Sequence, residues 1–141
     1  MPVARPPAAA LPFRHRVRVY WEDTDAGGVV FYANYLRFFE RARTEWLRAQ
    51  GVEQQRLREA SGAIFIVGEA ALRFLAPARL DDALEVTAHV SEFGRATMSF
   101  EQQAWRGDSL LCDARIRVAA VDAASLRPCR LPPAITALLP R

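Results

Sequence analysis

Hydrophobic and polar residues alternate along the first part of this chain and then change period. Over residues 13–22 the alternation has period 2 and includes β-branched and aromatic side chains, which is typical of a half-buried strand. From residue 35 onward the apolar positions recur at helical spacing. Asn34 is the predicted N-cap and Gly51 the predicted stop of this helix. The pattern therefore predicts a strand, an acidic glycine-containing turn and one long amphipathic helix.

Strand-like patterns dominate the rest of the chain. Residues 52–62 are polar and predict a short second helix or an irregular connection. A break at Gly68 and Glu69 interrupts a long apolar run and predicts a strand with a bulge or bend. The predicted strands after the helix cover residues 63–75, 84–90, 96–105 and 110–122. One long helix and about five strands, joined mostly by tight turns, predict an α+β domain with an antiparallel sheet curled around the helix.

Length and composition favour one ordinary globular domain. The chain has 141 residues, of which 51% are hydrophobic and 25% are charged. No apolar run approaches the roughly 20 residues that a membrane-spanning helix needs. We expect a disordered, proline-containing arm over residues 1–12, a domain over 13–130 and a tail over 131–141. The prolines of the arm argue against a signal peptide, so we expect a cytoplasmic protein.

The positive charge of the chain does not indicate nucleic-acid binding. The net charge is +3, but all 19 basic residues are arginines, and they are scattered rather than gathered in one stripe. Cys112 and Cys129 have no metal-ligand spacing, so we predict no metal. A nucleophilic pair of Cys112 and His89 is a weak alternative, because the sequence supplies no third group to orient it.

The acidic turn carries the most informative chemistry. Asp25 precedes Gly27 and Gly28, and the predicted helix follows a few residues later. A carboxylate beside the unpaired N–H groups of a helix N-terminus combines an acid, base or nucleophile with an electropositive backbone, which suits acyl chemistry. From the turn alone, a capping role within the turn is the favoured interpretation of Asp25.

Four segments resemble a known family. They are residues 23–30 (DTDAGGVV), 33–36 (ANYL), 40–45 (ERARTE) and 76–82 (APARLDD). The chain resembles the hot-dog acyl-CoA thioesterases over roughly residues 13–130, in the branch that contains 4-hydroxybenzoyl-CoA thioesterase and the YbgC-type thioesterases encoded with the Tol-Pal system. The YbgC branch usually has His where this chain has Tyr32, whereas the 4-hydroxybenzoyl branch has Tyr.

The resemblance implies a hot-dog fold and hydrolysis of an acyl-CoA to free acid and coenzyme A. It places the catalytic carboxylate at Asp25, as nucleophile or general base. The N–H groups of Val30, Phe31 and Tyr32 would polarise the thioester carbonyl. The Tyr32 side chain would either assist the reaction, for example by donating a hydrogen bond, or simply pack. Coenzyme A is part of the substrate, so no separate cofactor is expected, and the acyl group can be short, medium or aromatic.

Further roles are assigned to residues other than the catalytic carboxylate. Gly28 would contact the substrate, and Arg95 is a weak candidate for the coenzyme A phosphates. We expect Asp23 to brace the loop and Glu40 to form a buried ion pair with a nearby arginine. Unpaired edge strands predict a homo-oligomer, most simply a tetramer built from dimers.

Two other classes of function stay open at this stage. A hot-dog dehydratase or hydratase usually needs a histidine in the active-site loop, and this loop has none. A non-catalytic module would bind acyl-CoA, acyl carrier protein or a partner of the envelope complex without hydrolysis.

Overall fold

The computed structural model describes residues 12–139. The predicted disordered arm therefore lies outside the described residues except for Pro12. The helices are α1 (Tyr35–Ala49), α2 (Gln54–Ser61) and α3 (Pro133–Thr136), and the strands are β1 (Phe13–Arg18), β2 (Ala63–Phe74), β3 (Ala83–Phe93), β4 (Thr97–Arg106) and β5 (Ser109–Asp122).

The strands form one antiparallel sheet in the order β1-β3-β4-β5-β2. Helix α1 packs against this sheet through side chains that are almost completely buried, including Phe38, Phe39 and Ala42. The inward-facing residues of β3, β4 and β5 complete the same core. The predicted α+β fold, with a five-stranded antiparallel sheet around one long helix, is confirmed.

The chain reaches α1 by a different route from the predicted one. Strand β1 ends at Arg18 rather than continuing to residue 22, and a 3₁₀ turn (Trp21–Asp23) follows. A second 3₁₀ turn (Tyr32–Asn34) leads directly into α1. Asn34 is the N-cap residue of α1, as predicted, but its side chain makes no capping hydrogen bond. Gly51 ends the helix as predicted, with a φ of +84° that favours glycine.

Glycines also shape the elements after α1. Gly62 follows α2 in the left-handed conformation, with φ of +75°. The pairing of β2 with β5 shifts register between Val67 and Glu69, which confirms the predicted bulge at Gly68. Strand β2 can then stay paired along its whole length while it bends with the curled sheet.

The segment after β5 contributes to the core. Leu131, Ile135 and Leu139 are at most 6% exposed, although they lie beyond the predicted end of the domain at residue 130. The Leu131 N–H donates to the carbonyl of Arg95 at 2.8 Å, which fastens this segment to the β3–β4 turn. In the described part of the chain, no helix is long and apolar enough to cross a membrane.

Candidate active site

Residues 24–30 form a short hairpin between β1 and α1. Thr24 pairs with Val30 in an antiparallel bridge, and the Asp25 N–H donates to the Val29 carbonyl at 2.9 Å. The Gly28 N–H donates to the Asp25 carbonyl at 3.0 Å and closes the tip. Gly28 has a φ of +79°, which a side chain would strain. The sequence therefore folds locally into a tight tip that carries Asp25.

The Asp25 carboxylate is exposed at this tip. Its Oδ1 atom accepts a hydrogen bond from the Gly27 N–H at 2.8 Å. Within residues 12–139, Oδ2 has no hydrogen-bond partner, so one oxygen is held and the other is available. A Cβ at Gly27 would lie 3.2 Å from Oδ1, closer than most such contacts. The glycine therefore gives the carboxylate room.

The neighbouring carboxylate of Asp23 has a different environment. Asp23 is 3% exposed. Its Oδ2 accepts from the Tyr20 N–H at 2.8 Å, and its Oδ1 accepts from the Asn34 side-chain amide at 2.9 Å. The Asp23 carbonyl accepts from the Phe31 N–H at 2.9 Å. Asp23 thus connects both ends of the hairpin to the start of the helix, which is the bracing role expected for it.

The three predicted oxyanion donors are not equivalent. The Val30 N–H donates to the Ala78 carbonyl at 2.8 Å, and the Phe31 N–H donates to Asp23. Both donors are therefore occupied by the chain's own backbone. The Tyr32 N–H opens the 3₁₀ turn before α1 and makes no hydrogen bond within residues 12–139. The predicted donor set is corrected accordingly: within residues 12–139, Tyr32 alone of the three has an N–H without an acceptor.

Aromatic side chains line a pocket beside this N–H. The pocket has a volume of about 290 Å³, and its walls include Val30, Tyr32, Tyr35 and Phe74. The Tyr32 ring is 64% exposed and meets the Phe74 ring edge to face at 6.3 Å. Phe74 comes from the end of β2, and nothing in its strand pattern marked it as a wall of this pocket. The Tyr32 side chain packs in this cluster.

Tyr35 connects the pocket wall to the loop after β2. Its hydroxyl accepts a hydrogen bond from the Ala78 N–H at 3.2 Å. Burial raises the pKa of Tyr35, and the bond from Ala78 opposes that effect only in part. The hydroxyl therefore stays protonated at neutral pH. Because the Ala78 carbonyl also binds the Val30 N–H, Ala78 joins the helix to the hairpin.

An ion pair fixes the loop that supports the hairpin. Arg79 pairs with Val29 in an antiparallel bridge. Asp82 closes the loop by accepting from the Arg79 N–H at 2.9 Å and from the Arg106 guanidinium at 2.8 Å. Burial alone would raise the pKa of Asp82, but these two donors and the charge of Arg106 outweigh it and hold the pKa below its ordinary value. Asp82 is therefore ionised at neutral pH.

The structure separates Arg95 from the candidate active site. Arg95 precedes β4, which begins at Thr97. Arg106, at the other end of β4, donates to the Pro77 carbonyl beside the hairpin. Roughly 30 Å of strand separates the two ends. Within one chain, Arg95 and Asp25 are therefore not brought together.

The expectation for Glu40 is wrong, and the weak alternative of a Cys112–His89 pair is excluded. Glu40 is exposed and accepts a hydrogen bond from the Thr44 hydroxyl at 3.0 Å, and it forms no ion pair within residues 12–139. Cys112 is fully buried on the core face of β5, and His89 is exposed on β3, which β4 separates from β5. Burial, with a contribution from the charge of Asp113, raises the pKa of Cys112 to about 12. This thiol is therefore not a nucleophile paired with His89.

Comparisons with known proteins identify the family of this chain. A family model described as the thioesterase-like superfamily matches residues 19–139. The acyl-CoA thioesterase YbgC of Haemophilus influenzae is 46% identical over 125 residues, which cover 89% of this chain and 92% of the relative. The acyl-CoA thioester hydrolase YbgC of Escherichia coli O6:H1 is 43% identical over 126 residues, which cover 89% and 93%.

A solved structure extends the comparison to the fold. The crystal structure of a probable thioesterase from Bartonella henselae superposes with a TM-score of 0.79 at 35% identity, covering 84% of this chain and 98% of that one. The chain therefore belongs to the thioesterase-like superfamily, as its sequence motifs indicate.

Within residues 12–139 no group of three or more His, Cys, Asp and Glu side chains is arranged to hold a metal ion.

Proposed function

We propose that this protein hydrolyses acyl-CoA thioesters, with Asp25 as the catalytic carboxylate. The observation that supports this most strongly is the contrast between two aspartates separated by one residue. Asp23 is buried and fully used in hydrogen bonds, whereas Asp25 is exposed with one oxygen unpartnered in the described part of the chain. The relatives named as acyl-CoA thioesterases support the reaction class.

Asp25 can act in either of two ways. As a nucleophile, its oxygen bonds to the thioester carbon, the carbon–sulfur bond breaks, and the coenzyme A thiolate leaves and takes a proton. Water then cleaves the resulting anhydride and regenerates the carboxylate. As a general base, Asp25 takes a proton from a water molecule that attacks the same carbon. Both routes yield the free acid and coenzyme A.

The carbonyl oxygen gains negative charge in either route. The Tyr32 N–H, which has no acceptor in the described part of the chain, supplies a donor at the start of a helical segment that continues through α1. The positive end of the helix dipole adds to this donor. We therefore assign the oxyanion contact to the Tyr32 backbone, and the Tyr32 ring to packing beside the acyl group.

The pocket lined by Tyr32, Tyr35 and Phe74 suits an apolar acyl group. Its volume of about 290 Å³ admits short, medium or aromatic groups and does not select among them. An acyl carrier protein would present its acyl group on the same pantetheine arm as coenzyme A, so it is a second potential donor of the thioester. We place the protein in the cytoplasm, where acyl-CoA is available and where free thiols such as Cys112 and Cys129 persist.

A second copy of the chain would complete this site. Within residues 12–139, strand β2 pairs only with β5, so its other edge has no partner strand along its twelve residues in this part of the chain. Ile66, Val67 and Phe74 on this strand are 44–51% exposed. Such an edge favours pairing with another copy, and Asp25 and the Phe74 wall would then lie beside the junction. We propose a dimer formed along β2 and a tetramer built from two dimers.

The phosphates of coenzyme A need basic side chains near the site. Arg79 is exposed, pairs through its backbone with the hairpin, and has a guanidinium without a hydrogen bond or ion pair in the described part of the chain. We therefore assign the phosphates to Arg79. Arg95 would reach them only from another copy of the chain.

A direct assay tests the proposed function. The purified protein is mixed with a panel of acyl-CoA thioesters, and a thiol-trapping dye reports the released coenzyme A. Hydrolysis of at least one member with kcat well above the spontaneous rate is expected. If the protein binds acyl-CoA but releases no thiol from any member, it is a binding module and the proposal is wrong.

A further inference from the structure

A second small pocket lies between the later half of α1 and the sheet, and we refer to it as the helix pocket. Its volume is about 140 Å³. The apolar side chains that line it are Leu47, Phe65, Val67, Met98, Phe100 and Val118. Apolar protein cavities of about 150 Å³ can hold a benzene molecule. The helix pocket therefore has room for one apolar group of about that size.

A cation with few partners lines the helix pocket. The Arg43 side chain is half-buried, and its Nη1 atom donates to Gln102 Oε1 at 2.9 Å. Within residues 12–139 the guanidinium makes no other hydrogen bond and no ion pair, although a guanidinium carries five N–H donors. Burial lowers the pKa of Arg43, and the charge of Glu40 opposes this effect. Arginine stays protonated at neutral pH, so the pocket holds a positive charge with most of its donors unused.

Gln102 fixes the position of the Arg43 side chain. Gln102 is fully buried, and its Nε2 atom donates to the carbonyls of Phe39 on α1 and Thr87 on β3, both at 3.0 Å. The helix and the sheet therefore hold the amide together, and its oxygen accepts from Arg43. Because the guanidinium is positioned before any ligand arrives, less side-chain entropy is lost on binding.

One negative charge also lines the helix pocket. Glu40 is exposed and accepts from the Thr44 hydroxyl, which itself accepts from the Gln54 amide at 3.1 Å. Water and salt screen an exposed carboxylate more than a half-buried guanidinium. An anion inside the pocket is therefore attracted by Arg43 more strongly than it is repelled by Glu40.

We propose that the helix pocket binds a small apolar carboxylate, whose charged end pairs with Arg43 and whose apolar body lies among the side chains of β2, β4 and β5. An arginine fork matches a carboxylate with two parallel hydrogen bonds. A neutral ligand would leave these donors unused, and a cation would be repelled. Arg43 lies two turns of α1, roughly 12 Å, beyond Tyr35 of the candidate active site. The inference therefore does not rest on the proposed hydrolysis.

Methyl NMR of methionine-labelled protein tests the proposal. The sequence has two methionines, Met1 and Met98, and Met98 lines the helix pocket. Benzoate is the probe, and benzamide is the matched ligand because it has the same shape without the charge. Benzoate should move the Met98 methyl signal in a saturable way, with a Kd of about 0.1–10 mM. Benzamide should bind about 10–100-fold more weakly. A Met98 signal that benzoate does not move, or that both probes move at equal concentrations, overturns the proposal.

Substitutions on α1 test the role of the charges. Arg43→Met removes the cation and should weaken benzoate binding about 10–100-fold, with little change for benzamide. The matched control is Arg41→Met, at an exposed arginine that does not line the helix pocket, and benzoate should bind it like the wild-type protein. Equal benzoate affinity in these two variants contradicts the proposal. Because Arg43→Met also takes the donor from the buried Gln102 oxygen, Glu40→Gln is measured as well. It keeps that bond, removes the negative charge and should tighten benzoate binding severalfold; an unchanged affinity contradicts the role of Arg43 if Arg43→Met does not fold.

A last titration identifies the source of the carboxylate. Free acids of this class are products of the proposed hydrolysis and also of other reactions. If the acid released from the best acyl-CoA binds more tightly than benzoate, the pocket takes the protein's own product. Tighter binding of benzoate indicates an acid formed by another reaction. Benzoate binding at Met98 without any hydrolysis contradicts only the proposed function, whereas hydrolysis without a shift of the Met98 signal contradicts only this inference.

Discussion

The Asn34 side-chain amide donates to Asp23 Oδ1 at 2.9 Å, and both side chains are at least 93% buried. The two residues are eleven positions apart in the chain, and the hairpin that carries Asp25 lies between them. The bond therefore joins the two ends of the hairpin and sets where the exposed carboxylate stands relative to the start of α1. Asp25 needs no bonds beyond its own turn, because Asp23 and Asn34 hold the frame around it.

Removing this bond should destabilise the fold. Asn34→Ala leaves the Asp23 carboxylate buried with one donor fewer, which costs about 1–3 kcal/mol in the free energy of unfolding. Urea denaturation followed by circular dichroism measures the change. The matched control is Gln55→Ala on the exposed face of α2, whose side-chain bond to Glu59 should contribute less than about 0.5 kcal/mol. Equal stability of the two variants would show that the Asn34–Asp23 bond does not brace the hairpin.

The stability that Asp82 contributes by fixing the loop beside the hairpin should depend on pH. In the folded chain the pKa of Asp82 is lower than the ordinary carboxyl value of about 3.9. A group with a depressed folded pKa contributes stability above its unfolded pKa and loses that contribution as the pH falls through its folded pKa. Asp82→Asn should therefore cost about 1 kcal/mol at pH 7. The difference between wild type and variant should shrink as the pH falls below about 4. A difference that is constant from pH 7 to pH 3 contradicts this account.

The fold could be predicted from the sequence because its signals are local. The period of the apolar positions marks β2 to β5 and α1, and Gly51 and Gly68 mark an end and a bulge by their own backbone properties. The end of β1 was missed because alternation continues to residue 22, while the chain turns at Trp21 into a 3₁₀ turn. A pattern of side chains does not record where backbone pairing stops.

The site was predictable only in part. Motif residues located Asp25, but the partners of the other groups depend on contacts between distant segments. Asn34 is the helix N-cap that the sequence predicts, but its side chain bonds to Asp23 instead of capping the helix. The N–H of Val30 looks like a free helix donor and instead bonds to Ala78, which lies 48 residues further along. Phe74 gave no signal, because its place beside Tyr32 follows from the curvature of the sheet.

Cys112 should be unreactive in the folded protein. Burial raises its pKa to about 12, so almost no thiolate exists at pH 8. In the Cys129→Ser variant, an aromatic disulfide reagent should label no thiol until the protein is unfolded, and then one. Fast labelling of the folded Cys129→Ser variant would contradict the assignment of Cys112 to the core. Retained hydrolysis after Cys112→Ala would independently exclude a cysteine mechanism.

Binding of coenzyme A phosphates should be sensitive to salt. Contacts between phosphates and an exposed arginine weaken as ionic strength rises. KM for acyl-CoA should increase severalfold between about 0.05 and 0.5 M salt with little change in kcat. Arg79→Ala should raise KM at low salt and flatten this dependence. Arg95→Ala is the matched comparison: if it has the effect expected for Arg79→Ala, the phosphates are held from another copy of the chain.

The central claim is that the Asp25 carboxylate is the catalytic group in thioester hydrolysis. The Asp25→Asn variant tests this claim most directly. The substitution preserves shape and removes charge and basicity, so kcat on a good acyl-CoA should fall about 10²–10⁴-fold with KM nearly unchanged. Asp23→Asn, tested beside it, should lower the free energy of unfolding more than Asp25→Asn does, because only Asp23 is buried. Wild-type kcat for Asp25→Asn, together with loss of hydrolysis in a folded Asp23→Asn or Glu40→Gln variant, would contradict the assignment of Asp25.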